Sequence, residues 1–196
     1  MRRQTSLEHK PYVSNGASTF NAATHPSIDL STRQKFLLIK NWKGISRQTA
    51  DTGATMFVRL FQNDSQLIDL FHFKQLKTAS REEQFDDEVL RTHGQSVMNI
   101  FDEAITNVDH PDVFFSVLDH YARFHAHRPG FRPEYFRKME EPFLYAVKIT
   151  LDDRYTDNMD SIYRVVTPLI LDTMEKICRQ EQTKGATDTP AVGVLI

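Results

Sequence analysis

The sequence predicts an all-α domain, and three observations support this. Between residues 31 and 182, apolar side chains recur at intervals of three and four, as on the buried face of a helix. No stretch in that range alternates apolar and polar residues for long enough to form a half-buried strand. Hydrophobic residues make up 40% of the chain and charged residues 26%, which is sufficient for one packed core.

The two ends of the chain lack this periodicity. Residues 1–30 mix Ser, Thr, Asn, Gly and Pro, and residues 183–196 show no regular pattern either. Such segments offer little apolar surface to bury against a core. We therefore predict a flexible N-terminal arm (1–30), a helical domain (31–182) and a flexible C-terminal tail (183–196).

Composition also limits the classes of partner. The net charge is −2 and there is no block of basic residues, so nothing favours nucleic-acid binding. No apolar run approaches the length of a membrane span. The single cysteine, Cys178, excludes a disulfide within the chain and favours a cytoplasmic location.

The first two helices are predicted from one N-cap and two apolar stripes. Ser31 is a suitable N-cap because its hydroxyl can accept a hydrogen bond from a backbone N–H of the first turn. The inward residues are predicted to be Leu38, Trp42 and Ile45 in the first helix and Gly53, Phe57, Leu60 and Phe61 in the second. A short capped turn over residues 63–73 then leads into an aromatic corner.

The next two helices each direct a histidine inward. One is predicted over residues 81–108, and its apolar stripe is Leu90, His93, Val97, Ile100 and Ala104. The other follows the helix-breaking sequence "HPD", and its stripe is Phe114, Leu118, Tyr121 and His125. A histidine on an apolar helix face is usually an ordinary core residue, so neither histidine is diagnostic alone.

Two more helices complete the pattern. The first begins at "RPEYF" with proline in its first turn, and the last runs from about residue 158 to residue 180. The predicted inward residues are Phe136, Met139, Phe143 and Val147 in the first and Ile162, Val166, Leu169, Thr173 and Ile177 in the last. Pro142 and Pro168 interrupt these segments and are expected to bend them, since an internal proline loses a backbone hydrogen bond.

Aromatic residues around the two histidines favour a flat apolar cofactor. The chain contains 14 phenylalanines, whereas helical cores usually depend on leucine and isoleucine. Neutral imidazole is a good ligand for iron, and haem needs axial donors on rigid elements. Because the chain has no Cys-x-x-Cys-His sequence, any haem would be held without a covalent bond.

Several motifs, in this order along the chain, resemble those of the globin family. "RLFQNDSQLIDLF" is similar to the segment that ends in the phenylalanine stacked on the porphyrin, here Phe71, and "HGQSV" resembles the distal motif. "HAHRPGFRPEYF" is similar to the proximal histidine and the turn after it, and this similarity selects His125 over His120 and His127. The resemblance covers about residues 31–180, and it implies a globin fold of about eight helices in a 3-over-3 sandwich around haem.

Further features extend the resemblance. Gly53 and Gly94 correspond to the small residues at which two globin helices cross, and Trp42 corresponds to the usual first-helix tryptophan. The spacing of 32 residues between positions 93 and 125 and the sequence "AITNVDHPDVF" resemble neuroglobin-like and nematode globins.

The resemblance implies a complete set of haem contacts. It makes His125 and His93 the two axial ligands of haem b (iron protoporphyrin IX), and the other ring nitrogen of His125 is expected to donate to a group one turn earlier. The implied pocket residues are Phe57, Phe61, Phe71, Phe73, His93, Val97, Tyr121, His125, Phe131, Phe136 and Met139. By position, His72, Lys74 and Arg128 are candidates for pairing with the haem propionates, although each is equally explained as a solvated surface charge.

The expected function is reversible binding of oxygen or another diatomic gas (NO or CO) by a six-coordinate, bis-histidyl haem, in oxygen or redox sensing or in electron transfer. Three alternatives stay open: oxygen storage or transport by a five-coordinate haem, a haem enzyme such as a nitric oxide dioxygenase or nitrite reductase, and a globin fold without cofactor. A homodimer and an unidentified signalling protein are the macromolecular partners left open.

Overall fold

The computed structural model describes residues 27–71 and 74–187, and within them all regular structure is helical. The predicted all-α class is therefore confirmed. Short 3-10 helices separate several of the α-helices. The α-helices are α1 (Thr32–Trp42), α2 (Thr49–Asn63), α3 (Arg81–Asp86), α4 (Glu88–Thr106), α5 (Pro111–Ala126), α6 (Glu140–Leu151) and α7 (Asp157–Thr187). The 3-10 helices are Ser65–Leu70, Lys74–Lys77, Pro133–Tyr135, Arg137–Met139 and Asp152–Arg154.

The N-cap predicted for α1 is present. The Ser31 hydroxyl accepts a hydrogen bond from the backbone N–H of Gln34, and the Gln34 side chain accepts one from the backbone N–H of Ser31. Leu38, Trp42 and Ile45 are fully buried beyond this cap, as their spacing predicts. The reciprocal bonds satisfy two backbone donors that the first turn would otherwise leave unpaired.

A crossing of two glycines fixes α2 against α4. A Cβ atom built on Gly94 would lie 2.6 Å from the carbonyl carbon of Gly53, and one built on Gly53 would lie 2.3 Å from the carbonyl carbon of Gly94. Only glycine at both positions lets the two backbones approach this closely. The predicted crossing is therefore confirmed. It fixes how closely α4 approaches α2 at Gly94, the residue next to His93.

With Gly94 at the crossing, the face of α4 that is buried differs from the predicted stripe. Leu90 and Ala104 are buried as expected, but His93, Val97 and Ile100 are only half-buried. The residues of α4 that lie deepest are Leu90, Gly94, Met98, Phe101, Ala104 and Ile105. His93 thus lies on the flank of the helix, where it borders the core without being enclosed by it.

The single long helix predicted over residues 81–108 is wrong, because the chain forms two helices there. Helix α3 ends at Asp86 and α4 begins at Glu88. Asp87 has an extended backbone, and its carboxylate accepts a hydrogen bond of 2.8 Å from the backbone N–H of Leu90. An aspartate that caps in this way starts a new helix instead of continuing the old one.

Neither proline acts as a simple helix breaker. Helix α6 begins at Glu140, so Pro142 lies in its first turn, where a missing N–H costs nothing. The segment between Pro133 and Met139 forms two short 3-10 helices instead of the first turns of α6. Pro168 does lie inside α7, yet the helix continues to Thr187.

Helix α7 buries a stripe with a spacing of four throughout. Ile162 and Val166 are buried as predicted, but the stripe then passes through Ile170, Met174 and Cys178. Leu169, Thr173 and Ile177, which were predicted to face inward, are half-buried. A strict spacing of four exceeds the helical repeat of 3.6, so the buried stripe winds slowly around α7.

The boundaries of the described domain differ slightly from the predicted ones. Leu30, assigned to the N-terminal arm, is buried in the core. Helix α7 extends beyond residue 182 into the predicted tail. The rest of both predicted end segments, residues 1–26 and 188–196, lies outside the described residues. None of the helices in the described part of the chain has the length and apolar character needed to cross a bilayer.

Candidate functional site

His93 projects from α4 toward two phenylalanines, and a third packs behind them. Its ring centroid lies 5.0 Å from that of Phe57 on α2 and 5.1 Å from that of Phe71, which follows the 3-10 helix Ser65–Leu70. Phe57 and Phe71 contact each other edge to face at 5.4 Å, and Phe61 lies 5.6 Å from Phe71. We call His93, Phe57, Phe61 and Phe71 the distal cluster.

Burial keeps His93 neutral. The loss of water around its ring, together with the charges of His125 and Arg128, lowers the pKa of His93 from 6.5 to about 4. At neutral pH the imidazole therefore carries a single ring proton, and its other nitrogen has a lone pair. That lone pair is what a metal ion requires of a histidine.

His125 is oriented by a hydrogen bond within its own helix. Its Nδ1 lies 2.7 Å from the backbone carbonyl oxygen of Tyr121, one turn earlier in α5. A carbonyl oxygen can only accept, so Nδ1 must carry the proton and donate it. The opposite nitrogen, Nε2, is then the one with a free lone pair, and the ring cannot rotate without breaking this bond.

Aromatic rings also surround His125. The centroids of Phe131 and Phe136 lie 4.9 Å and 5.3 Å from that of His125, and the two phenylalanines lie 5.1 Å from each other. We call these three residues the proximal cluster. Burial lowers the pKa of His125, while its hydrogen bond to the Tyr121 carbonyl raises it and the Arg128 charge lowers it.

Electrostatic interactions link the two clusters. A charge on His125 lowers the pKa of His93, and the charge of Arg128 lowers the pKa of both histidines. Charges in a protein interact appreciably only at short range. His93 on α4 and His125 on α5 therefore lie close enough for the charge of one to affect the other.

The remaining predicted pocket residues occupy varied positions. Val97, Tyr121 and Met139 are half-buried and pack against the core. Phe73 and His72 lie outside the described residues, as does the side chain of Lys74. Arg128 is exposed and stacks over the Phe124 ring at 4.2 Å, so its cationic group stays near the helix end that carries His125.

Sequence reasoning missed two residues near the proximal cluster. A Cβ atom built on Gly130 would lie 3.8 Å from Leu70, so the turn after α5 approaches the segment that carries Phe71. The side-chain amide of Gln182 donates a hydrogen bond of 3.0 Å to the backbone carbonyl of Phe131. Nothing in the local sequence around Gln182 indicates this contact, because its partner lies 51 positions earlier in the chain.

The histidines and phenylalanines of the two clusters fit a metal ion that receives most of its ligands from a cofactor such as a porphyrin. Among the described residues, no group of three or more His, Cys, Asp or Glu side chains could hold a metal ion alone. Two neutral imidazoles are the complement of an iron atom whose other four ligands come from a porphyrin. The phenylalanines of both clusters supply the apolar surface that such a ring would contact.

This combination of fold and site defines a class. The domain is helical, and two glycines cross beside one histidine. A second histidine, hydrogen-bonded to a backbone carbonyl, lies among aromatic rings. This is the architecture of a globin. A family model described as Globin matches residues 54–174, which is more than half of the chain. The chain therefore belongs to the globin family, and the globin fold is confirmed.

Within the globin family, the chain is similar to neuroglobins and to a cytoglobin. The neuroglobin of Tetraodon nigroviridis is 24% identical over 147 residues, which cover 75% of this chain and 91% of that protein. The cytoglobin-1 of Oryzias latipes is 30% identical over 112 residues, which cover 57% of this chain and 62% of that protein.

A solved structure of a relative shows the same architecture. It is described as the hexacoordinated heme protein of an anhydrobiotic tardigrade at pH 4. It superposes with a TM-score of 0.73 at 29% identity and covers 80% of this chain and 99% of that one.

Proposed function

We propose that this globin binds haem b between His125 and His93, that both histidines coordinate the iron when no gas is bound, and that the protein acts in the cytoplasm in gas or redox sensing or in electron transfer. The observation that carries the proposal is a pair of neutral imidazoles on two helices, each among phenylalanine rings and within electrostatic range of the other. When bound, haem would supply an iron atom able to take an electron or a diatomic gas such as oxygen, NO or CO.

On the proximal side, the proposal rests on the orientation of His125. Its Nδ1 is committed to the Tyr121 carbonyl at 2.7 Å, which leaves Nε2 as the ligand atom. A hydrogen bond of this kind fixes the ring and makes the opposite nitrogen a stronger donor. Phe131 and Phe136 enclose the imidazole, and they exclude water that would compete for it.

On the distal side, the proposal rests on the lowered pKa of His93 and on its apolar neighbours. Protons do not compete for its lone pair above a pH of about 4. The rings that face His93 in the distal cluster, Phe57 and Phe71, carry no hydroxyl or amide that could hydrogen-bond a polar gas complex. The similarity to the hexacoordinated heme protein of a tardigrade favours coordination by His93 over a free distal histidine.

An internal ligand changes what the protein can do. If His93 occupied the iron about 99% of the time, the apparent affinity for an external gas would fall roughly 100-fold. A protein of this kind stores oxygen poorly, but its coordination and redox state respond to gas or electron supply. This reasoning favours sensing or electron transfer over storage and transport.

Arg128 is the described side chain best placed to pair with a haem propionate. The ion pairs found among residues 27–71 and 74–187 do not include Arg128, and its charge reaches both histidines. The Phe124 ring beneath its guanidinium limits its movement at the end of α5.

Rapid mixing of the reduced, haem-loaded protein with CO tests the proposal. For the wild type, we expect the observed rate to level off with rising CO, because His93 must first leave the iron. His93→Leu should give a rate that rises linearly. Gln95→Leu, which changes an exposed residue of the same helix, should behave like the wild type.

Oxidation in air provides a second measurement on the same samples. The proposal predicts rapid oxidation of the oxygen-exposed wild type, since the distal cluster does little to retain oxygen. A linear CO response in the wild type together with slow oxidation would contradict it and support oxygen storage. Steady turnover of NO or nitrite with a supplied reductant would instead support an enzyme.

A further inference from the structure

The turn that follows the proximal histidine lies in solvent. Residues 127–130 are all exposed, and Gly130 adopts a left-handed backbone with φ of +79°. Within the turn, the N–H of Arg128 donates to the His125 carbonyl at 3.0 Å, and the N–H of Phe131 donates to the Arg128 carbonyl at 3.1 Å. Exposed hydrogen bonds of this kind open easily unless a neighbouring element holds them.

A side chain from α7 bridges the two ends of this turn. The amide of Gln182 donates to the backbone carbonyl of Phe131 at 3.0 Å and to that of Ala126 at 3.4 Å. Ala126 is the residue directly after His125. Phe131 is the residue whose ring packs on His125, with centroids 4.9 Å apart. One side chain therefore holds both the start of the turn and the ring that returns to the imidazole.

The residue before Gln182 contacts the same end of α5. The Glu181 carboxylate accepts a hydrogen bond from the Arg123 guanidinium and lies 3.7 Å from Nε2 of His127. Helix α7 is anchored in the core one turn earlier through the fully buried Cys178. Two consecutive residues of α7 thus fix the last turn of α5 to a helix that cannot readily move.

We propose that Gln182 is a positioning residue for the proximal ligand: by bridging the Ala126 and Phe131 carbonyls, it keeps the Phe131 ring against His125 and so restricts the tilt of the imidazole that its bond to Tyr121 still allows. Gln182 acts through Phe131 and touches no ligand atom. The part of this inference that concerns haem rests on the proposed function, whereas the bridge itself can be tested without haem.

Hydrogen–deuterium exchange of the haem-free protein tests the bridge. The variants are Gln182→Glu, which has the same shape but no N–H donor, and Gln182→Ala. We expect the Arg128 and Phe131 amides to exchange about tenfold faster in both variants, because the turn opens more often. Gln180→Ala, an exposed residue of the same helix, is the control and should leave these rates within about twofold of the wild type.

The haem-loaded protein tests the consequence for His125. Electron paramagnetic resonance of a ferric bis-histidyl haem depends on the relative orientation of the two imidazole planes. We expect the g values to shift or broaden in both Gln182 variants and to stay unchanged in Gln180→Ala. Haemin loss to an acceptor protein should accelerate by about tenfold, the lower end of the effects seen when a residue that orients a metal ligand is replaced.

The outcomes separate the two proposals. If the wild-type chain takes up no haemin, the proposed function fails, and the exchange rates alone still decide whether Gln182 holds the turn. Unchanged exchange at Arg128 and Phe131 overturns the bridge. Faster exchange with unaltered g values overturns the positioning role, since the turn would then move without turning His125. Faster exchange throughout all helices would show a general loss of stability and would also count against it.

Discussion

The distal and proximal clusters both present a neutral imidazole among phenylalanines, but they hold it in different ways. His125 is tied by a hydrogen bond of 2.7 Å to the carbonyl of Tyr121 within its own helix. The position of His93 follows from the glycine crossing beside it and from ring contacts with Phe57 and Phe71. The directional bond of the proximal ring thus lies within its own helix, whereas the ring contacts of His93 reach across to α2 and to the segment that carries Phe71.

This difference matches two different tasks. A directional bond costs free energy to break, so it suits a ligand that must stay on the iron. Contacts with rings on other elements change when those elements shift, so they suit a ligand that must leave when a gas arrives. The comparison predicts that changes near His125 affect haem retention, whereas changes near His93 affect ligand exchange.

Removal of each histidine is expected to have the largest effect and to differ between the clusters. His125→Ala should speed haem loss by about 100-fold or more, because the oriented ligand is gone, whereas His93→Ala should speed it by less than about tenfold. Transfer of haemin to an acceptor protein measures both rates. Equal acceleration by the two variants would show that the clusters hold haem alike.

A substitution at the glycine crossing should shift α4, and with it His93, without touching the proximal cluster. In Gly94→Ala, the new Cβ would lie 2.6 Å from the backbone of Gly53, so α4 must move away from α2. We expect a loss of about 3 kcal/mol in the free energy of unfolding, in the upper range for overpacked sites. Urea unfolding of the haem-free protein measures it.

Gly185→Ala is the matched control, since a Cβ there meets no atom within 4 Å. It should stabilise α7 by about 0.5–1 kcal/mol, the usual difference between glycine and alanine in a helix. If Gly94→Ala were as well tolerated as the control, the crossing would not set the position of His93.

The stability of the haem-free protein is expected to depend on pH through both imidazoles. In the unfolded chain His93 takes up a proton near pH 6.5, whereas in the native protein its pKa is about 4. The unfolded state therefore binds more protons between these values, and native stability falls as pH drops through this window. For His93 alone, the loss between about pH 7.5 and about pH 4.5 is about 2.5 kcal/mol.

Urea unfolding of the wild type and of His93→Leu at both pH values isolates this contribution. The variant should lose less stability on acidification. Some dependence should remain in it, because burial also lowers the pKa of His125. An identical loss in both proteins would contradict the burial of a neutral His93.

Substitution of Arg128 is expected to have the smallest effect on haem loss. Arg128→Met should speed haem loss by about threefold, since one exposed ion pair contributes no more than about 1 kcal/mol. The variant should also raise the pKa of both histidines in the haem-free protein, which NMR titration measures. Arg132→Met removes another exposed cation of the same turn region, and it should leave both quantities unchanged.

Sequence periodicity predicted the parts of the fold that depend on which residues are apolar. It assigned the all-α class and the burial of Trp42, because both follow from residue type and spacing. The crossing of Gly53 with Gly94 was expected from the resemblance to globins, not from periodicity. Periodicity could not decide whether Asp87 would continue a helix or cap a new one, since aspartate occurs in both positions. The 3-10 helices before α6 were missed for a related reason, because Pro133 begins either kind of helix.

Within the candidate site, a contact along one helix could be predicted from the sequence. The expected hydrogen bond from His125 to a group one turn earlier is present, and its acceptor is the Tyr121 carbonyl. The exact rotation of α4, which leaves His93 on the flank of the core, depends on its packing against α2. The contact of Gln182 with Phe131 joins distant parts of the chain and has no local signal.

The visible spectrum of the reduced, gas-free, haem-loaded protein tests most directly whether side chains 93 and 125 both bind the iron. We expect sharply split low-spin bands in the wild type, and one broad high-spin band in His93→Leu measured beside it. A broad high-spin band in the wild type itself would contradict coordination by both histidines.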